Sequence, residues 1–184
     1  FYIVLNTGSI WFGLLAAIVV GLLMGLLMSF ISITLKAEQG ISGIGLYMFG
    51  LGLSSLLFKT TIGTVKTVTG FQPVKVPLLG DIPVVGEIFF HHSLLVYGAF
   101  LLVPIAWWVM EKTTWGLRIK SVGQNPAAAD SLGVNVDRVR YFSVCIGSIL
   151  AGIAGASLSI SLLNLFQENL TAGQGFIAVA LVYF

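Results

Sequence analysis

Between its charged residues the chain leaves five runs without a single Asp, Glu, Lys or Arg: residues 1–35, 39–58, 88–110, 141–167 and 169–184. A hydrocarbon core about 30 Å thick is crossed by about 20 residues of helix, and inside it every backbone N–H and C=O must be bonded within the segment. Runs of this length point to an all-α fold, a polytopic transmembrane helical bundle. Composition agrees, because 57% of the 184 residues are hydrophobic and 9% are charged, against a charged share of about 25% in soluble domains. The spacing predicts helices at about 10–35, 40–58, 93–110 and 140–163 and another beginning at about 175, hence four full spans and the start of a fifth. The first run has no basic leader, is too long for a signal-peptide core and opens on Phe1 rather than Met. The chain is therefore expected to be one transmembrane domain, 1–184, incomplete at both ends.

Basic residues set the orientation. Lys112, Arg118, Lys120, Arg138 and Arg140 place five of the nine Lys and Arg in one connection, which the positive-inside rule assigns to the cytoplasm. A cytoplasmic loop at 111–139 puts 59–92 outside, Lys36 to Gln39 inside and Asn164 to Gln174 outside. The outer segment contains "QPVKVPLLGDIPVVGE", in which Pro73, Pro77 and Pro83 with Gly80 and Gly86 forbid a continuous helix. Small residues recur every four positions in the first helix (Ala17, Gly21, Gly25, Ser29) and in the fourth (Gly147, Ala151, Gly155, Ser159). These rows are expected to be helix–helix contacts, since close backbone approach replaces the hydrophobic drive that lipid removes. Cys145, the one cysteine, excludes an intrachain disulfide.

The cytoplasmic connection is more elaborate than a linker. Asn125 is placed to cap a short helix beginning at Pro126, Ala127 to Ala129 favour it, Asp130 lies near its positive end, and Gly133 suits a left-handed stop. Asp137 is placed to cap the following span. A capped helix flanked by cations is expected to offer a surface either to a cytoplasmic partner or to anionic headgroups.

Enzyme chemistry finds little support. No Gly-x-x-x-x-Gly-Lys-Ser/Thr loop occurs, so ATP hydrolysis would have to come from another subunit. His91 and His92 lack companions at metal-ligand spacing, and no metal or other cofactor is expected. Gly155-Ala156-Ser157-Leu158 superficially matches the Gly-x-Ser-x of intramembrane serine proteases, with small-residue packing as the other explanation. Trp107, Trp108 and Trp115 form an aromatic belt at one membrane face. Polar residues at helix breaks, Gln39, Asn164, Gln167, Glu168 and Asn169, are candidates for solute contact. Within the spans Ser32, Thr34, Tyr47, Ser54, Ser143 and Ser148 offer polar groups without fixed charge.

The stretch "TTWGLRIKSVGQNPAAADSLGVNVDRVRYFSV" resembles the cytoplasmic loop of permease subunits in ATP-binding-cassette importers, in the simple-sugar and nucleoside branch of the branched-chain-amino-acid-like permease family. "VPLLGDIPVVGEIFF", "LTAGQGFIAVAL" and "KAEQGISGIGLYMFGLGLSS" resemble other segments of that branch, so the likeness covers essentially the whole chain. Gln174 and the form "AEQG" depart from its commonest pattern. The resemblance implies that the short helix couples the permease to an ATPase subunit through Gly116, Arg118, Gly123, Asn125, Pro126, Ala128, Ala129, Gly133 and Val134. It also implies a second permease subunit, identical or paralogous, an extracytoplasmic solute-binding lipoprotein, and a bacterial or archaeal cytoplasmic (inner) membrane, with no nucleic acid. The expected function is import of a nucleoside or simple sugar. A channel-type or structural membrane protein without an ATPase, and the protease, stand as alternatives.

Overall fold

The computed structural model describes residues 1–61, 63, 74–75, 91–167, 170–171, 173, 175, 177 and 180–181, with backbone alone at 74–75 and 91–92. Helices follow in the order α1 (Tyr2–Thr7), α2 (Ile10–Ser29), α3 (Gln39–Thr61), α4 (Leu94–Lys112), α5 (Thr114–Gln124), α6 (Pro126–Ser131) and α7 (Val136–Ser157). α2 and α7 each continue into a π-helical turn, Phe30–Thr34 and Leu158–Leu162. A two-residue antiparallel pair sets Val74 opposite His92 and Lys75 opposite His91. Among the described residues four helices are long and apolar enough to cross a membrane: Ile10–Thr34, Gln39–Thr61, Leu94–Lys112 and Val136–Leu162. The protein is thus an all-α, multi-pass membrane protein. Most of the expected outer loop at 59–92 and of the fifth span lies outside the described residues.

The chain divides into two compact units, Phe1–Gly70 with Ser148–Phe184, and Phe71–Gly147. In the first, α2 and the second half of α7 run antiparallel with their backbones in close contact. A Cβ on Gly21 would stand 2.6 Å from the Ser148 carbonyl oxygen, and one on Gly152 2.6 Å from that of Ala17. Towards the start of α2, the side chains of Val4 and Ile160, each 1% exposed, fill the space beside Gly13. Gly21, Gly25 and Ser29 are buried, so the expected row on α2 is a contact face. The row that makes contact is Ser148, Gly152 and Ala156 of α7 with Ile160 of its π turn, one residue on from the expected Gly147, Ala151 and Gly155, whereas Ser159 of the expected row is buried within the π turn. Gly147 and Gly155 have open space beside them. Adjacent residues on a helix point about 100° apart, so two equally spaced small-residue rows face different ways and only one can meet α2.

In the second unit Thr113 turns the chain sharply. Its hydroxyl donates to Val109 O at 2.6 Å and accepts from Gly116 N at 3.3 Å, capping α5. Gly116 is buried there because a Cβ would overlap the carbonyls of Val109 and Met110. Val122 of α5, Ala129 of α6 and Val139 of α7 then close a small core, with Ile119, Val134 and Val136 packed around it.

Candidate functional site

α6 is six residues long, far below the length at which a helix holds itself together, and it is fixed from outside at both ends. At its start Asn125, in extended conformation, accepts the Ala128 N–H on Oδ1 at 3.1 Å, and Pro126 occupies the first helical position where no N–H is needed. At its end Gly133 takes φ 81°. Its N–H donates to Asp130 O at 2.8 Å and that of Val134 to Ala129 O at 3.0 Å, the paired bonds of a Schellman stop. Val134 packs on the core beneath. Ala129 is 3% exposed and anchors the helix inward, whereas Leu132 at its end is 84% exposed.

Of the residues assigned to coupling by resemblance, Asn125, Pro126, Ala128, Ala129, Gly133 and Val134 build this one short helix and its two ends. Gly116 forms the corner before α5. Arg118 lies over the Trp115 ring, 5.6 Å from its centroid, and Trp115 in turn lies 5.0 Å from Phe142. Gly123 is exposed on α5 with nothing beside it. The Lys120 ammonium pairs with Glu111. One expectation is corrected: the cap of α7 is Asn135, whose Oδ1 accepts from Arg138 N at 3.0 Å, and Asp137 lies in the first turn. The Asn-Val-Asp sequence offers two capping residues, and the earlier wins because Val136 and Val139 must both turn onto the core.

In the first unit a cavity of about 740 Å³ lies among α2, α3, the end of α7 and the segment that follows it. Of the five candidates for solute contact, Gln167 lines it. Asn164 follows the π turn of α7 in a left-handed conformation, φ 53°, with its Oδ1 buried and without a partner among the described residues. Gln39 opens α3 and is exposed. Glu168, Asn169 and also Gln174 lie outside the described residues. The Ser157 hydroxyl donates to Ala154 O at 2.7 Å, an ordinary helix bond.

Sequence inspection missed Glu38, although its place directly before a span is an N-terminal signal. Its carboxylate accepts from Ile41 N at 2.7 Å and Gly40 N at 3.0 Å. The bond from Ile41 first and that from Gly40 second hold its pKa below the usual carboxylate range. A lowered folded pKa means that the cap contributes above the unfolded pKa and is lost as pH falls through the folded one. Glu38→Gln is expected to lower the hydrogen-exchange protection factors of Gly40 and Ile41 at neutral pH, and acidification of the unaltered protein to lower them too once the falling intrinsic exchange rate is divided out.

A polytopic helical protein with a capped helix on one connection and a cavity among its spans, lined by uncharged side chains among the described residues, has the build of a membrane permease. The chain belongs to the family described as branched-chain amino acid transport system permease components, whose model matches residues 1–183. It is similar to a putative glucose ABC transporter permease protein of Haloferax volcanii, 37% identical over 188 residues, covering 100% of this chain and 56% of that protein. The guanosine ABC transporter permease protein of Bacillus subtilis is 38% identical over 186 residues, covering 98% and 58%. The nucleoside ABC transporter permease protein of Lactococcus lactis is 35% identical over 177 residues, covering 95% and 56%. The chain spans a little over half the length of these relatives. No solved structure matches it.

Proposed function

We propose that the chain forms part of the permease subunit of an ATP-driven importer for a nucleoside or simple sugar, in a bacterial or archaeal cytoplasmic membrane. In this proposal α6 rests on a cytoplasmic ATP-binding-cassette ATPase, a second permease subunit completes the pathway, and an extracytoplasmic solute-binding protein supplies it. The observation that carries it is the construction of α6: two caps and a three-residue core hold a helix too short to persist alone, and the helix carries Leu132 84% exposed at its end. A simple connector has no use for such rigidity, whereas a contact that transmits movement between subunits does. The cluster of basic residues supports a cytoplasmic position for it.

The test uses the full-length permease with its ATPase and binding protein in proteoliposomes. Leu132→Asp is expected to lower solute-stimulated ATP hydrolysis about 30-fold, the loss of an interface anchor of about 2 kcal/mol. The amount of permease in the membrane should not change, because the side chain packs against little of its own chain. Unaltered stimulation would remove α6 from the interface. A full-length protein that conducts solute with no ATPase bound would favour a channel instead.

A further inference from the structure

Hydroxyls inside membrane spans usually donate back to their own helix, because hydrocarbon offers no other partner. Ser29 does so to Gly25 O at 2.7 Å, Ser143 to Val139 O at 2.8 Å and Ser159 to Ala156 O at 3.2 Å. The hydroxyls of Ser54 on α3 and Ser148 on α7 make no hydrogen bond among the described residues, and both residues line the cavity of the first unit. Two span hydroxyls left unbonded against one cavity are arranged for something that enters it.

The rest of the wall narrows what that is. Among the described residues no charged side chain lines the cavity, which suits a neutral solute. Gly21 and Gly152 leave the wall flat where α2 and α7 cross. Phe166 lines it as well, its ring 5.5 Å from that of Phe58 and 6.0 Å from that of Phe1, and Gln167 beside it adds an amide. The volume of about 740 Å³ falls within the roughly 300–1,000 Å³ of small-molecule sites. A free sugar carries hydroxyls all round its ring, each costly to bury without a partner, whereas the polar groups of this wall, the hydroxyls of Tyr2, Ser54, Ser148, Ser159 and Thr171 and the Gln167 amide, are a minority among apolar side chains. A nucleoside divides its polarity. Its base has an apolar face suited to Phe166 and the flat wall, and its sugar has two or three hydroxyls suited to Ser54 and Ser148.

We propose that this cavity is a nucleoside-binding site on the transport pathway, with the base towards Phe166 and the sugar hydroxyls on Ser54 and Ser148. The site rests on the importer function proposed above and chooses between its two solute classes.

The test measures equilibrium binding of tritiated uridine to the full-length permease–ATPase complex in nanodiscs, without the binding protein, so that the permease's own affinity is read. Ser54→Ala and Ser148→Ala are each expected to weaken binding about 5-fold, and the double variant about 25-fold. Ser143→Ala removes a hydroxyl already bonded to its own helix and should leave binding unchanged. Unlabelled ribose is expected to compete at least about 100-fold more weakly than uridine. Copurification of the ATPase with each variant reports that the fold is retained. If the complex assembles but the double variant binds uridine as the unaltered protein does, or ribose competes equally, the site is wrong while the importer function stands. If the permease does not assemble with an ATPase at all, the importer function itself fails.

Discussion

Gly152→Ala and Gly21→Ala are each expected to lower the equilibrium ratio of folded to unfolded full-length protein about a hundred-fold relative to the unaltered chain. Each added Cβ would lie 2.6 Å from a backbone carbonyl oxygen, that of Ala17 for Gly152 and that of Ser148 for Gly21. A side chain can escape such an overlap by changing rotamer, but a helix backbone cannot, so the two helices must move apart along their whole contact. Overpacking a tight interior costs about 1–3 kcal/mol. The upper end applies here because lipid returns none of the lost packing as a hydrophobic gain. The matched controls are Gly147→Ala and Gly155→Ala, where the Cβ meets open space and the change gains helix propensity of about 1 kcal/mol. The measurement is the monodisperse fraction of detergent-solubilised full-length protein. Equal losses at all four glycines would show that α2 and α7 do not cross as described.

Those glycines also show what the sequence could and could not disclose. The spans were legible because charge is so costly in hydrocarbon that its absence marks them directly: α2 sits inside an uncharged run, and α3 and α4 overrun theirs only in the last turn, at Lys59 and at Glu111 and Lys112. α7 begins at Val136, inside the charged loop, because its first turn belongs to the core around Val122 and Ala129 rather than to the bilayer. The same reason hides α5: Arg118 and Lys120 disguise a helix whose buried side is Gly116, Ile119 and Val122. α6 was legible residue by residue, since Asn, Pro and Gly carry out capping by local geometry alone. The choice between the two small-residue rows of α7 was not, because both have the same spacing and only the partner helix distinguishes them. The cavity was half visible. Ser54 and Ser148 stood among six polar groups in the spans, but whether a serine hydroxyl turns to its own helix or to open space depends on the neighbouring wall and is not written in the residue type.

Two glycines of the connection, Gly116 and Gly133, fail for different reasons when replaced, and that difference makes the strongest test of the coupling segment. Gly133 has nothing within 4 Å of a Cβ, so size alone is tolerated, but its φ of 81° is a conformation most side chains resist. Valine there is expected to cost about 2 kcal/mol or more and to break the paired bonds from Gly133 and Val134 that end α6. The helix end carrying Leu132 would shift, and solute-driven uptake should fall at least about 10-fold with the permease still inserted. Gly133→Asn, which enters the left-handed region readily, should keep most of the uptake. Gly116 has ordinary helical φ but no space, since a Cβ would overlap the carbonyls of Val109 and Met110. Asparagine therefore offers no rescue at that position, and alanine, valine and asparagine should all fail alike by displacing α5 from the end of α4. The measurement is uptake in vesicles per unit of inserted permease, with the full-length protein and its ATPase. Normal uptake by Gly133→Val, or rescue of Gly116 by asparagine, would show that the rigidity of this segment is not what links it to ATP hydrolysis.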